Sequence, residues 1–335
     1  MKNVVLIPGD GIGTEITKAV TTILECAGAP INWIECKAGL SAYEELGTPL
    51  PEETVNAIEE HRIALKGPLT TPVGTGFRSV NVALRQQFHL YSNIRPALTL
   101  PNIDSRFKEV NMVIFRENTQ GLYIGLERWK DENTKDHAES IAVVTEEAST
   151  KIITAAFDYA KANGRKKVSL VHKANILKFT TGLFLETGRK VAKQYPDIEF
   201  EDLIVDNMAM QMVLRPERFD VVVTTNLFGD ILSDLASGLV GGLGVTGSAN
   251  IGDDAAIFEA VHGSAPDIAG QNKANPIALL FSSLMLLQHI GEGKIAQNIR
   301  KAIYKTLIED KEDCTQDIGG NGSTTSFTEA VCRNL

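Results

Sequence analysis

The chain has 335 residues, of which 43% are hydrophobic and 22% are charged, and its formal net charge is −9 at pH 7. This length exceeds one ordinary hydrophobic core, so we expect two domains. The negative charge argues against nucleic acid as a partner, because phosphate backbones require a basic surface, and the apolar runs are too short to predict a secretory signal or a membrane span.

Short β-branched runs alternate with helical patterns along the chain, which predicts an α/β protein built on parallel strands. In chain order, the predicted strands cover residues 4–8, 31–36, 63–66, 110–116, 168–172, 199–205 and 219–225. The predicted helices include residues 14–26, 51–60, 78–88, 145–163, 179–195, 208–215, 230–239 and 276–290. Between residues 122 and 144 the pattern breaks, which predicts a β excursion outside the main sheet.

The first predicted strand ends in a glycine-rich turn that covers residues 8–15, and Glu35 ends the next strand. This arrangement is close to the dinucleotide-binding fingerprint G-x-G-x-x-G. However, Thr14 occupies the position of the third glycine, and a tight glycine bend between strand and helix explains the turn equally well. The sequence therefore disfavours a Rossmann fold.

Polar residues follow the carboxyl ends of five predicted strands, at Lys66, Arg116, Lys173, Asp206 and Asn226. In open α/β sheets, ligands bind at the edge where the carboxyl ends of the strands lie. We therefore expect these positions to contribute to one binding site, although any single one of them could be a solvated loop residue.

A group of cationic side chains is the first candidate for substrate binding. Arg78, Asn81 and Arg85 are spaced to share one helix face, and Arg95 and Arg116 follow. Several converging guanidinium groups suit a polycarboxylic acid, because each can hold a carboxylate in a two-pronged geometry. The spacing alone leaves a solvated helix face as an alternative.

An acidic group is the candidate for metal binding. Asp230 and Asp234 are four residues apart on one predicted helix, and Asp206 ends the preceding strand. Carboxylates at that spacing repel each other unless a cation lies between them, and oxygen ligands suit Mg²⁺ or Mn²⁺. The alternative is a carboxylate stabilised by the helix dipole and an unrelated acid.

Two further features could carry chemistry. Tyr123 and Lys173 could act as acid and base if cationic or metal neighbours shift these residue types from their ordinary titration near pH 10. The segment from His262 to Gly270 is a backbone-rich loop of the kind that binds phosphates and ribose hydroxyls, although an ordinary surface turn is an alternative. The four cysteines, at 26, 36, 314 and 332, follow no metal-binding spacing, so we expect reduced thiols in a cytoplasmic protein.

Five motifs together resemble the isocitrate/isopropylmalate dehydrogenases, over residues 4 to about 331. They are Thr70-Thr-Pro-Val-Gly-x-Gly-x-Arg-Ser-x-Asn-Val-x-Leu-Arg, Arg116-Glu-Asn-Thr, Val171-His-Lys-x-Asn-Ile, Asn226-Leu-Phe-Gly-Asp-Ile-Leu-Ser-Asp and His262-Gly-Ser-Ala-Pro-Asp-Ile-Ala-Gly. The resemblance implies a two-domain fold, not a Rossmann fold, with a parallel or mixed sheet. Residues 1–90 and 241–335 would form a large domain, and residues 91–240 a small dimerisation domain whose segment 121–149 is a β clasp. The assembly would be a homodimer with shared active sites, or a tetramer.

The resemblance also implies a role for each candidate residue. Isocitrate would be oxidised and decarboxylated with NAD and a divalent metal. The substrate would be bound by Ser79, Asn81, Arg85, Arg95 and Arg116. The metal would be bound by Asp206, Asp230 and Asp234, one of them from the partner subunit. Tyr123 and Lys173, the latter from the partner subunit, would transfer protons. NAD would be bound by Thr70, Asn81, His262, Gly263, Ser264, Ala265, Asp267, Ile268 and Asn275.

The sequence departs from the family pattern in three places. Gln120 replaces a usual acid, Glu146 and Glu147 stand where a basic residue is frequent, and Gln316 stands where Arg or Pro is commoner. These departures concern the clasp and the far edge of the cofactor site. Homoisocitrate and 3-isopropylmalate are the rival substrates, and Ser79 and Asn81 favour isocitrate because they offer hydrogen bonds to a third carboxylate. A non-catalytic regulatory subunit is the rival from another class.

Overall fold

The computed structural model describes residues 1–70 and 79–335. Its strands are β1 Lys2–Ile7, β2 Ile31–Glu35, β3 Ile63–Lys66, β4 Ser92–Leu98, β5 Asn111–Glu117, β6 Glu127–Trp129, β7 Ala138–Ser140, β8 Lys167–His172, β9 Glu199–Ile204, β10 Val221–Thr224, β11 Gly247–Ile251 and β12 Ala256–Ala260. Its helices are α1 Gly13–Cys26, α2 Leu40–Leu46, α3 Glu52–His61, α4 Val80–Gln87, α5 Glu146–Ala162, α6 Thr180–Ala192, α7 Val205–Leu214, α8 Asn226–Val240, α9 Ile277–His289, α10 Gly293–Glu309 and α11 Thr324–Arg333.

All seven predicted strands are present, but three further strands of the main sheet were missed. β4 contains Arg95 and Pro96, and proline is rare inside a sheet. β11 consists mainly of small or polar residues, and β12 contains Glu259. These strands form because their neighbours in the sheet pair with them, an effect that local composition cannot show. Helices α2, α10 and α11 were also absent from the prediction.

Two helices begin earlier than predicted, and this changes where two aspartates lie. α7 begins at Val205, so Asp206 lies in the first helical turn and not at the end of a strand. α8 begins at Asn226, so Asp230 lies one turn inside the helix. The predicted placement of Arg78 on the face of α4 concerns a residue outside the described ranges.

Ten strands form one mixed sheet in the order β2-β1-β3-β12-β11-β4-β5-β10-β8-β9. Its two outer parts are parallel, whereas β11 is antiparallel to both β12 and β4, and β4 is antiparallel to β5. The direction of β5, β10, β8 and β9 is therefore opposite to that of β3. As a result, the prediction that the carboxyl ends of all five strands point to one edge is wrong: β3, which ends at Lys66, runs opposite to β5, which carries Arg116.

The four central strands, β12, β11, β4 and β5, have two chemically different faces, because successive side chains of a strand point to opposite sides. The register places Glu259, Asn250, Asn93, Arg95 and Arg116 on one side, which we call the front face. Helices α4 and α8 cover this face. The other side, the back face, is apolar and packs against α5 and α9.

The predicted β excursion is present. β6 and β7 pair in an antiparallel two-stranded sheet that is separate from the main sheet. Thr145 follows this segment and caps α5, since its side chain accepts a hydrogen bond from the backbone N–H of Ala148. The division into two domains and the interlocking of two clasps stay predictions.

The expectation of four reduced cysteines is wrong for two of them. Cys26 at the end of α1 and Cys332 in α11 form a disulfide, whereas Cys36 and Cys314 are buried free thiols. The bonded cysteines are 306 residues apart in sequence, and only the packing of α1 against α11 brings them together. Among the described helices, none has the length and apolar character that a membrane span requires.

Candidate active site

Three arginines from three different elements converge on the front face. Arg95 lies on β4 and Arg116 on the neighbouring β5, while Arg85 reaches the face from α4. Helix α8 crosses above them at very close range. A Cβ atom at Gly229 of α8 would lie 2.5 Å from Cγ of Arg116, so only glycine allows this approach.

The two aspartates of α8 pair with these arginines. Arg95 donates hydrogen bonds to Asp234 at 3.1 Å and to the hydroxyl of Ser233 at 2.7 Å. Arg116 forms an ion pair with Asp230 and donates twice to Oδ1 of Asn226, at 2.9 and 2.8 Å. Part of the predicted cationic group and two of the three predicted acids therefore form a single cluster, which we call the Arg–Asp cluster (Arg85, Arg95, Arg116, Asp230 and Asp234).

Tyr123 joins this cluster through its hydroxyl, which donates a hydrogen bond to Oδ2 of Asp230. The guanidinium of Arg116 also lies 5.1 Å from the centre of the Tyr123 ring, within the range of a cation–π contact. Burial and the hydrogen bond to Asp230 raise the pKa of Tyr123 above its ordinary value. The phenol is therefore protonated at neutral pH and can act as a proton donor.

Burial and the neighbouring charges shift the pKa values of the cluster residues. Burial, together with Arg85 and Arg95, lowers the pKa of Arg116 to about 10, which still leaves it protonated at neutral pH. Burial alone would raise the pKa of Asp230, but Arg116 and the hydrogen bond from Tyr123 hold it below its ordinary value. Burial and the nearby Asp230 raise the pKa of Asp234. The lowered pKa keeps Asp230 ionised beside the guanidinium groups of the cluster.

The sequence analysis did not identify a buried carboxylate that pairs with Arg85 of the cluster. Glu259 of β12 is 5% exposed and accepts from Lys66 at 2.7 Å and from Arg85 at 3.2 Å. Burial opposes ionisation, but the two cations and a hydrogen bond from Asn250 hold the pKa of Glu259 far below its ordinary value. The side chain is therefore ionised and fixes the position of Arg85.

Three buried asparagines continue this network along the front face. Oδ1 of Asn250 accepts hydrogen bonds from Asn93 and Asn118, both at 2.9 Å, and its amide donates to Glu259 at 2.7 Å. Asn93 in turn accepts from Nε of Arg95 at 2.8 Å. Polar and apolar residues alternate in these strands, and this pattern could have indicated a polar face. It was not recognised because β4, β11 and β12 were not predicted as strands.

Several polar atoms beside the cluster have no partner among the described residues. Oδ1 of Asn81 and Nε of Arg85 are buried without a hydrogen bond there, and the hydroxyl of Ser79 makes none with those residues. A buried polar group without a partner costs free energy, so such atoms indicate a position where a ligand binds. These three residues are predicted substrate ligands.

Lys173 and Asp206 form a separate pair. Nζ of Lys173 lies 2.7 Å from Oδ1 of Asp206, and neither contacts the Arg–Asp cluster in this chain. The hydrogen bond from Lys173 lowers the pKa of Asp206. Within residues 1–70 and 79–335, no three His, Cys, Asp or Glu side chains lie close enough to hold a metal. The predicted metal donors are all carboxylate oxygens, which fit Mg²⁺ or Mn²⁺, but one chain brings only two of them together.

The predicted cofactor loop lies against the first glycine turn of the chain. A Cβ atom at Gly11 would lie 2.0 Å from the carbonyl oxygen of Ser264, which explains the glycine by close packing and not by a Rossmann motif. The hydroxyls of Thr70 and Ser264 are 2.6 Å apart. These contacts bring two predicted NAD ligands from distant segments together.

The same loop offers unpaired groups to a ligand. Nε2 of His262 is buried without a partner among the described residues, and burial lowers the pKa of this histidine. Gly263 and Asp267 are exposed, and Ala265 has a positive φ of 38°. Ile268 packs against the core, while Asn275 donates to Asp317 at 2.9 Å. Nε2 of His262 and the Asp267 carboxylate, which have no partners within residues 1–70 and 79–335, fit a cofactor that carries ribose hydroxyls.

Residues 3–331 match the family model described as isocitrate/isopropylmalate dehydrogenase. The chain belongs to this family. The crystal structure of isocitrate dehydrogenase from Methylococcus capsulatus has a TM-score of 0.96 and 55% identity to this chain, and the match covers 100% of this chain and 99% of that one. The predicted family fold is thereby confirmed, including its departure from a Rossmann fold.

The curated relatives are components of NAD-dependent isocitrate dehydrogenases. A relative from Dictyostelium discoideum that is named as a regulatory component is 48% identical, over 100% of this chain and 92% of the relative. Catalytic subunit 5 of the enzyme from Arabidopsis thaliana is 46% identical, and the match covers 98% of this chain and 87% of the relative. The alpha subunit from Bos taurus is 45% identical, over 100% and 91%. The family thus includes regulatory and catalytic subunits of isocitrate dehydrogenase.

These relatives contradict the expected cytoplasmic location, because all three are named as mitochondrial proteins. The expectation was wrong because cysteine content and overall charge do not differ between reducing compartments. The relatives are also named as regulatory, catalytic and alpha subunits. These names indicate assemblies of different chains and do not support the predicted homodimer.

Proposed function

We propose that this chain catalyses the NAD-dependent oxidative decarboxylation of isocitrate to 2-oxoglutarate and CO₂ with a divalent metal. The observation that carries the proposal is the Arg–Asp cluster, in which three arginines surround two aspartates and a protonated tyrosine. Three positive charges match a substrate with three carboxylates. Two ionisable oxygens from α8 fit a metal that binds beside that substrate.

The arginines and α4 would bind and orient the substrate. Arg95 and Arg116 present guanidinium groups that are fixed by Asn93 and Asn226, so little side-chain freedom is lost on binding. Ser79 through its hydroxyl and Asn81 through its side-chain N–H would donate to the carboxylate that distinguishes isocitrate, because neither donor has a hydrogen bond among the described residues. The site would thereby exclude a substrate with an apolar group at this position.

Lys173, Asp206 and Tyr123 would move protons. The Lys173–Asp206 pair from a partner subunit would receive the proton of the substrate hydroxyl. Tyr123, held by Asp230, would donate a proton to the carbon that loses CO₂. Asp206, Asp230 and Asp234 would hold the metal, which supplies a positive charge that stabilises negative charge on the substrate oxygens. NAD, which accepts the hydride, would lie against Thr70, Asn81 and the 262–275 loop.

A partner chain is required for this arrangement, and the surface supports one. Eleven of the fifteen large hydrophobic side chains that are exposed among the described residues lie between positions 122 and 231. They are Leu122, Leu126, Trp129, Ile141, Ile176, Leu177, Phe179, Met210, Val213, Leu214 and Ile231. A soluble monomer rarely exposes so many apolar side chains together, so this region is suited to a subunit interface. We propose that a second copy of the chain covers it.

The activity test uses the purified chain alone with NAD, Mn²⁺ and each of three acids: isocitrate, homoisocitrate and 3-isopropylmalate. We expect NADH absorbance to rise with isocitrate and at most slowly with the other two. A chain that binds isocitrate but produces no NADH with any acid would instead be regulatory, as the Dictyostelium discoideum relative is named. Retention of Tyr123, Lys173, Asp206, Asp230 and Asp234 favours the catalytic role.

The substrate pocket is tested by Ser79→Glu, which places a negative charge beside the third carboxylate. Two like charges at close range in a partly dry site repel by on the order of several kcal/mol before screening. We expect turnover of isocitrate to fall at least about a hundredfold. Circular dichroism should match the wild type, and Ser79→Thr, which keeps the hydroxyl, serves as the control. Near-normal isocitrate turnover in Ser79→Glu would show that Ser79 does not line the substrate pocket.

The cofactor preference is tested at Asp267 and Ile268. A free carboxylate in the loop accepts hydrogen bonds from ribose hydroxyls but repels the 2′-phosphate of NADP, so we expect NAD to be preferred by about a hundredfold. Relatives that prefer NADP carry Lys and Tyr at these positions, as the family resemblance implies. Asp267→Lys with Ile268→Tyr should reduce the preference strongly, mainly through a lower KM for NADP. If wild-type kcat/KM is equal for both cofactors, this assignment is wrong.

A further inference from the structure

The back face of the sheet carries a cavity of about 450 Å³, which we call the back cavity. Its floor consists of apolar side chains from β4 and β5, among them Ile94, Pro96, Leu98 and Val113. Helix α5 forms one wall with Tyr159, and helices α9 and α10 form the opposite wall. This volume lies in the range of pockets that hold small organic ligands.

The back cavity and the Arg–Asp cluster lie on opposite sides of the same two strands. Along β4, Ile94 and Pro96 line the cavity, whereas Arg95 between them points to the front face. In β5, Val113 faces the cavity and Arg116 faces α8. A ligand in the cavity would therefore press on the strands that carry two of the proposed substrate ligands.

The charge of the cavity is positive. Arg300 of α10 lines it and also a smaller adjoining cavity of about 60 Å³, and its guanidinium lies 5.4 Å from the ring centre of Phe281. Arg300 has no ion pair and no hydrogen bond within the described part of the chain. Arg165 also lines the cavity, but Asp220 neutralises it at 2.8 Å. No carboxylate is among the described residues that line either cavity.

We propose that the back cavity binds a small organic anion with a flat apolar body and a single carboxylate or sulfonate. The anionic group pairs with Arg300, and the apolar body lies on the floor formed by β4 and β5. The ligand bridges α5 and the α9–α10 pair, so its binding changes the turnover of the front face. This effect on turnover rests on the proposed function, whereas the binding does not.

The binding test uses 1-anilinonaphthalene-8-sulfonate and its neutral analogue N-phenyl-1-naphthylamine, titrated by fluorescence in saturating NAD so that the cofactor site is filled. We expect the sulfonate to bind at least tenfold more tightly than the neutral analogue. Arg300→Gln should remove that difference. Arg106→Gln is the matched control, because Arg106 is exposed, also lies over a phenylalanine ring and does not line the cavity. Its affinity for the sulfonate should equal that of the wild type.

A second variant fills the cavity without touching its charge. Leu98→Trp adds an indole on the floor and should abolish binding of both probes, with folding checked by thermal unfolding. Equal sulfonate affinity in wild type and Arg300→Gln, or equal affinity of the two probes, overturns the proposal. The isocitrate assay is then run with and without the sulfonate. Binding that depends on Arg300 in a chain without activity would support the cavity and refute the proposed function instead.

Discussion

Two inactive variants, Lys173→Met and Asp230→Asn, should regain activity when they are unfolded and refolded together. Lys173 and Asp206 form one pair and the Arg–Asp cluster another, and the two do not meet within one chain. If a second copy supplies the missing half, each mixed dimer contains one site with both native groups. Random mixing then restores about a quarter of all sites. Each variant alone should fall at least about a thousandfold in kcat, since each loses a group that acts in the chemical step.

A matched mixture separates this explanation from general stabilisation. Tyr123 contacts Asp230 in the same chain, so Tyr123→Phe and Asp230→Asn alter the same half of the site. Every site in their mixed dimers carries one of the two changes, and no recovery is expected. Mixed dimers are counted by native mass spectrometry. The shared site is refuted if mixed dimers of Lys173→Met and Asp230→Asn form but stay inactive, or if both mixtures recover equally.

Replacement of the buried carboxylate, Glu259→Gln, should destabilise the protein by about 3–5 kcal/mol. The glutamine keeps the shape but leaves Lys66 and Arg85 buried without their counter-charge. The free energy of unfolding, from urea titration of the whole protein, measures the effect. Because Arg85 loses its anchor, we also expect a higher KM for isocitrate under conditions where the variant is folded.

The control for this variant is Glu201→Gln on β9. Glu201 also pairs with two cations, Lys167 and Arg218, but its side chain is 22% exposed and water screens the pair. We expect this change to cost about 1 kcal/mol or less. Equal losses in the two variants would show that burial of Glu259 is not the cause.

The pH dependence of stability follows from the lowered pKa of Glu259. The Glu259 carboxyl binds a proton less readily in the folded state than in the unfolded state, where its pKa has the ordinary value of 4.5. The contribution of Glu259 to stability is therefore complete above about pH 4.5 and decreases as the pH falls toward the folded pKa. The difference in unfolding free energy between wild type and Glu259→Gln should shrink below pH 4.5. A difference that stays constant from pH 7 to pH 3 contradicts this assignment.

Much of the candidate site was predictable from local sequence. The spacing of Asp230 and Asp234 places both on one helix face, whatever the rest of the fold does. Ser79 and Asn81 lie at the start of α4 and Arg85 lies in its last turn, and the loop from His262 follows β12. The five motifs, which are spread between residues 70 and 270, identify the family, and the family match over residues 3–331 confirms this.

Other features depended on contacts between distant segments. The strand direction in the central sheet reverses at β11 and β4. These segments contain a proline, a charged side chain and small residues, a composition that is typical of loops. Only pairing with their neighbours makes these segments strands. For the same reason, the Glu259 network and the Cys26–Cys332 disulfide could not be found from spacing.

Helical spacing and motif order are properties of the linear chain, and they indicate which side chains are available for chemistry. Which of these side chains meet depends on contacts between distant segments. Arg95 and Arg116 lie together because antiparallel β4 and β5 pair in register, and Gly229 lets α8 approach them. Lys173 and Asp206 pair with each other outside that cluster, since they follow β8 and β9, which lie farther along the sheet than β4 and β5. This separation within one chain is the physical reason that we propose a second chain to complete the site.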